Sequence, residues 1–226
     1  MDVNSPQPDG ATPLAWAVFL DERETIDALM KAGAKVNTAD EYGETPLTLA
    51  CANGNSDVIR KLLDAGADAN AARWDGETAL MLAARSGSAP SVKLLIEKGA
   101  KVDAAESRRG QNALMWASAA GHAEVVDLLL KAGAQVSAAS KTGFTPLVFA
   151  AQKGDAKSIS TLLQAGADVN YKVPSGQSVL EIAVIAGNSQ AADALLTKGA
   201  DVNSADHAGV TALHVASQNG NVELVK

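Results

Sequence analysis

The chain has 226 residues with 19 basic and 26 acidic side chains, a net charge of −7, and is 47% hydrophobic but only 4% aromatic. This is globular rather than disordered composition, and roughly a fifth of the residues are alanine, so the core must be thin. The acidic field disfavours nucleic acid or an anionic bilayer as partner, and the longest nearly apolar run, Ala11 to Leu20, falls well short of the roughly 20 residues of a membrane-spanning helix.

In chain order, the first predicted helix opens at Thr12-Pro13. Threonine supplies a side-chain acceptor for an orphan N–H of the first turn, and proline tolerates the position where its missing N–H costs nothing. The polar stretch Asp21-Glu22-Arg23-Glu24 separates it from a second apolar-periodic segment, which ends at Gly33-Ala34. About ten residues ending in a turn glycine, Gly43, lead to Thr45-Pro46, where the same events begin again; in the last such interval, Asp201 to Gly209, Val202 is the one large apolar residue. That interval is too short for a third helix and suits a projecting two-stranded turn.

The cycle runs to the end of the chain. Leucines stand at Leu14, Leu47, Leu80, Leu114, Leu147, Leu180 and Leu213, with 33 residues between neighbours except for one spacing of 34. An alanine follows each by three, from Ala17 to Ala216. Thr12, Thr45, Thr78, Asn112, Thr145, Ser178 and Thr211 precede them by two. Gly54, Gly87, Gly121, Gly154, Gly187 and Gly220 end the first helices, and Gly33, Gly66, Gly99, Gly133, Gly166 and Gly199 cap the second, as the cheapest residues in a left-handed conformation.

With its 33-residue period, its Thr-Pro-Leu-His-x-Ala pattern (kept most fully in Thr211-Ala212-Leu213-His214) and segments such as Gly121-His122-Ala123-Glu124-Val125-Val126, the chain resembles the ankyrin-repeat family. The resemblance covers residues 2–34, 35–67, 68–100, 101–134, 135–167, 168–200 and an incomplete 201–226. It implies a single domain: an all-α repeat solenoid of stacked helix-turn-helix units with short, projecting, β-hairpin-like turns. Three departures stand out. Asp21 replaces the inter-helix glycine, one extra residue lies between Gly99 and Gly110, and the last repeat stops before its Gly-Ala. Asp2-Val3-Asn4 also matches Asp201-Val202-Asn203, so the chain reads as a piece of a longer one.

Chemistry-bearing residues are sparse. His122 and His214 occupy positions with local structural roles, and His207 is a surface residue on a turn. With a single cysteine there is no Cys-x-x-Cys zinc site and no intrachain disulfide; Cys51 reads as a buried small hydrophobe and slightly favours the cytoplasm as compartment. Asp21-Glu22-Arg23-Glu24 reads as a solvated capping face rather than a metal site. No phosphate loop, nucleophile elbow or calcium loop is present. The expectation is therefore a non-enzyme without metal or cofactor, monomeric in dilute solution.

The resemblance implies binding of a protein partner through the projecting turns and the concave face of the first helices. On the turns, Tyr42, Trp74 and Phe144 hold three of only eight aromatics, with Arg108, Arg109 and Lys141 between them; Phe19 and Arg85 lie on the concave face. These eight residues are the expected partner-binding set, because exposed Trp, Tyr and Arg dominate interface energetics. Trp16, Trp116 and Phe149 are expected to pack in the core in place of the leucine at Leu49 and Leu82. Two alternatives remain open at this point: a targeting or regulatory region of a larger enzyme or effector, and a structural spacer whose turn aromatics merely cover neighbouring turns.

Overall fold

The computed structural model describes residues 2–225 and divides into two compact units, Met1–Arg108 and Arg109–Lys226. Unit 1 holds three helix pairs: α1 (Pro13–Phe19) with α2 (Arg23–Lys31), α3 (Pro46–Asn53) with α4 (Ser56–Asp64), and α5 (Ala79–Ser86) with α6 (Ala89–Glu97). In unit 2, α7 (Ala113–Ala120), α9 (Pro146–Lys153), α11 (Val179–Ile185) and α13 (Ala212–Gln218) pack in one row. Behind them lie α8 (Ala123–Lys131), α10 (Ala156–Gln164), α12 (Ser189–Thr197) and α14 (Val222–Val225). Helices of seven to nine residues are too short to persist alone, so each unit is held by the stacking of its pairs.

The helix boundaries follow the sequence signals. Thr12, Thr45 and Thr78 accept from the backbone N–H of Ala15, Thr48 and Met81 at 3.2, 3.2 and 3.3 Å. In unit 2, Asn112, Thr145, Ser178 and Thr211 cap in the same way. At the other end of the second helices, each Gly-Ala pair closes a Schellman motif: Gly33 N–H donates to Met30 and Ala34 N–H to Leu29, at 3.1 and 3.0 Å. Glycine enters the left-handed region there, and Ala67, Ala100 and Ala134 of the later pairs are buried.

Asp21 adopts φ 54°, the only positive φ of a non-glycine among the described residues. It thus occupies the glycine slot between α1 and α2 with the glycine's own backbone conformation. Its carboxylate accepts from Asn55 Nδ2 at 2.5 Å and lies 4.0 Å from Arg23, so the stretch is a solvated face with a local ion pair, but Glu22 at the start of α2 makes no side-chain cap bond.

The register leucines and the alanines three residues beyond them are buried, the small side chains letting paired helices approach closely. Leu213 is the exception at 49% exposed, and Val222 and Val225 beside it are exposed too. Cys51 is fully buried in α3, and burial pushes its thiol pKa far up.

Successive repeats are stapled by asparagines. Asn4 accepts from Lys35 N–H at 2.7 Å, Asn37 from Asp68 N–H at 2.8 Å, and Asn70 from Lys101 N–H at 2.9 Å. The Asn37 amide also donates to Gly66 O at 2.9 Å, and the Asn70 amide to Gly99 O at 3.2 Å. In unit 2, Asn170 accepts from Asp201 N–H at 2.8 Å.

The projecting tips contain less strand than the spacing predicts. Among the described residues the extended pairing is reduced to single bridges, Ala72 to Thr78 in unit 1, and Lys172 to Ser178 and Ala205 to Thr211 in unit 2. Side-chain carboxylates do the work of a ladder: Asp40 Oδ1 accepts from the N–H of both Tyr42 and Glu44, at 2.9 and 2.8 Å. Tips then bond to tips, Glu41 N–H to Asp9 O at 2.9 Å and Trp74 N–H to Tyr42 O at 3.0 Å. This close approach explains Gly43, at φ 77°, where an added Cβ would lie 2.9 Å from the Trp74 nitrogen.

Candidate partner-binding surface

In unit 1 the structure places Trp74 and Tyr42 on adjacent tips with 72% and 54% of their surface exposed, as expected. Phe19, at the end of α1, is 56% exposed. Arg85 on α5 and Arg108 near the end of the unit are also exposed, and Arg108 N–H donates to Glu106 Oε2 at 2.6 Å. Glu106 is itself buried, so the fourth tip is less projecting at that residue than its sequence suggests. In unit 2, Arg109 and Lys141 are exposed, and Lys141 N–H donates to Arg109 O at 2.8 Å.

Two expectations are corrected. Phe144 is half-buried, not an exposed tip aromatic: its ring packs on Phe149, centroids 5.6 Å apart in an edge contact. Conversely, Trp16 is 38% exposed, and Trp116 and Phe149 are half-buried, so none of the three fills the core as Leu82 does. They stand two residues past the register leucine, the position that Leu82 holds fully buried and Leu49 half-buried, so the register alone does not bury it: what other segments lay over it does.

Trp16 is therefore a surface residue that the sequence reading missed. It makes an edge contact with Phe19, centroids 5.8 Å apart and planes at 86°. Together with Leu49 of α3 and Tyr42 of the second tip, these rings line a pocket of about 270 Å³. Asp9, Asp40 and Glu44 form the polar part of its lining. The neighbouring Glu41 carboxylate, as acceptor and as charge, keeps the Tyr42 pKa above the ordinary phenol value.

Beside the pocket, Arg73 bridges two tips. Its Nη2 lies 2.5 Å from Glu44 Oε1 and its Nη1 2.8 Å from Glu77 Oε2, while Glu44 Oε2 accepts from Thr48 Oγ1 at 2.9 Å. All three ionised side chains are largely covered, so this network stiffens the tips more than an exposed pair would.

Other residue classes fall in structural roles. His214 Nδ1 lies 2.8 Å from Thr211 Oγ1 in a capping box, and His207 is exposed on its tip. Among the described residues, no group of three or more His, Cys, Asp or Glu is arranged to hold a metal ion, and no helix is long and apolar enough to cross a membrane.

A family model described as ankyrin repeats in three copies matches five overlapping stretches, residues 1–73, 24–106, 65–140, 103–173 and 147–226. No curated protein matches the chain. Among solved structures, the crystal structure of the human ASB11 ankyrin repeat domain is similar with a TM-score of 0.85 at 27% identity, over 95% of this chain and 96% of that one. Ankyrin repeats are generally protein–protein interaction modules and typically not catalytic. Caps, periods and stacked pairs thus coincide with the family's repeat over the whole length, and the chain belongs to the ankyrin-repeat family.

Proposed function

We propose that the chain is a non-catalytic module that binds a protein partner through its projecting tips and the tip-side face of its first helices. Tyr42, Trp74, Phe19, Arg85 and Arg108 serve in unit 1, and Arg109, Lys141 and Phe144 in unit 2, the last through the ring wall it forms with Phe149. The observation that carries this reading is Trp74. A large indole, 72% exposed, sits on a tip whose backbone is already tied to its neighbour by the bond to Tyr42 O. Such a side chain offers much contact area and little further ordering cost on binding.

The test is alanine substitution of Trp74 and of Tyr42, with affinity measured by calorimetry against the partner recovered from native lysate. Each change should weaken binding by about 1–3 kcal/mol and leave the helical circular dichroism intact. Unchanged affinity in both correctly folded variants rejects the surface.

A further inference from the structure

The pocket between the first two tips combines two demands that few occupants meet. Its rings, Trp16, Phe19 and Tyr42, are each more than a third exposed, so an occupant that covers them gains apolar contact. Yet a purely apolar occupant would also strip water from the lining carboxylates Asp9 and Asp40 without supplying a counter-charge, which is costly.

The carboxylates are not already neutralised by the neighbouring cation. Arg73 is engaged by Glu44 and Glu77 together, so this pair of glutamates outweighs it. Asp9 and Asp40 use Oδ1 on turn N–H groups, Asp9 at 3.0 Å to Ala11, and Oδ2 of each has no hydrogen-bond partner among the described residues. Acidic oxygens are thus held in place at the mouth of an aromatic pocket, fixed by the tip fold before anything binds.

We propose that this pocket takes the guanidinium of an arginine from a basic segment of the protein partner, a refinement that rests on the interaction-module reading above. A guanidinium is planar and weakly hydrated, stacks on indole and phenol rings, and presents donors to several carboxylates at once. Lysine offers one compact, strongly hydrated charge and fits less well. An acidic segment is repelled by the same rim, in line with the net charge of −7.

The probe is a blocked Ala-Leu-Arg-Leu-Arg-Ala peptide titrated into the isotopically labelled full chain, read at the indole N–H signals. The three tryptophans are Trp16 in the pocket, Trp74 on the next tip and Trp116 in unit 2, so the signals separate the sites. Trp16 should shift and saturate while Trp116 stays still. Replacing arginine by citrulline, which keeps the shape and removes the charge, should weaken binding at least tenfold, and a glutamate counterpart should not bind.

Two variants keep the test independent of folding. Trp16→Leu installs the residue type found at Leu49 and Leu82, so the helix survives, and it should lose tenfold or more in affinity. Glu41→Gln should lose roughly threefold and flatten the salt dependence, because a rim charge acts across solvent. Equal binding of the citrulline peptide, an unmoved Trp16 signal, or full affinity in Trp16→Leu overturns the proposal. If Trp74→Ala and Tyr42→Ala weaken the native partner while the arginine peptide ignores Trp16, the pocket assignment fails and the module stands. If Trp16→Leu weakens both the arginine peptide and the native partner while Trp74→Ala leaves the native partner unaffected, the wider surface fails instead.

Discussion

Truncating Asn37 to alanine tests whether the inter-repeat staples hold the stack. The substitution deletes two hydrogen bonds at the joint, one from Asp68 N–H of the next repeat at 2.8 Å and one to Gly66 O at the end of its own repeat at 2.9 Å, and barely alters apolar burial. A typical net contribution is about 0.5–1.5 kcal/mol per bond, and both lie near solvent, where water can replace the lost partner. Taking the lower half of that range for each gives about 1–2 kcal/mol for the joint. Asn37→Asp keeps the acceptor for Asp68 N–H but loses the donor to Gly66 O and adds a negative charge beside that carbonyl, so it should recover only part of the loss. Urea denaturation followed by circular dichroism reports the global effect. Amide exchange at Asp68 reports the joint itself, which matters because repeat arrays can lose all-or-none behaviour. A loss under about 0.3 kcal/mol, with exchange at Asp68 unchanged, would refute the staple as a source of stability.

Glu181 is buried, with Oε2 unpartnered, and burial followed by the nearby Asp206 charge raises its pKa above the ordinary 4.5. An acid with a raised folded pKa holds its proton longer in the native state, so stability is lost as pH rises through 4.5 toward the folded value. Glu181→Gln should therefore stabilise by about 1 kcal/mol at pH 7, less so at pH 4, and an equal gain at both values in urea melts would contradict the assignment. Cys51 should be inert to an aromatic disulfide reagent until the chain unfolds; prompt labelling of the native protein would show that α3 opens locally. Amide exchange should be fast from about His214 onward, where α14 spans four residues with Val222 and Val225 exposed, and slow across residues 68–167; uniform protection to the last residues in dilute solution would contradict this.

What the sequence made legible was chemistry that acts over a few residues. The Thr, Asn and Ser caps, the left-handed glycines and the buried leucines all follow from local rules applied once per period, and the structure has them where the register puts them. Surface placement was less legible. Trp16, Leu49 and Leu82 occupy one register position, yet they run from exposed through half-buried to buried, because exposure is set by what other segments lay over the position. Phe144 reads as a tip aromatic until Phe149 is seen beneath it. Arg73 and Glu44 look like scattered turn charges, since nothing in the spacing says that residues 29 positions apart will form an ion pair at 2.5 Å. The staples lay in between. Asn4, Asn37, Asn70 and Asn170 recur visibly on the period, but each accepts from an N–H in the next repeat.

Because each staple is made by an asparagine side chain and received by a backbone N–H, the receiving residue is free to be anything except proline. Lys35, Asp68 and Lys101 in unit 1 and Asp201 in unit 2 all fill that role, two of each charge. The joint between repeats is thereby uncoupled from the colour of the surface above it. Mutation can repaint the electrostatics of one repeat without loosening its attachment to the next. A lineage carrying this scaffold can drift from an acidic face to a basic one, and so from one set of ligands to another, through steps that each leave the stack intact.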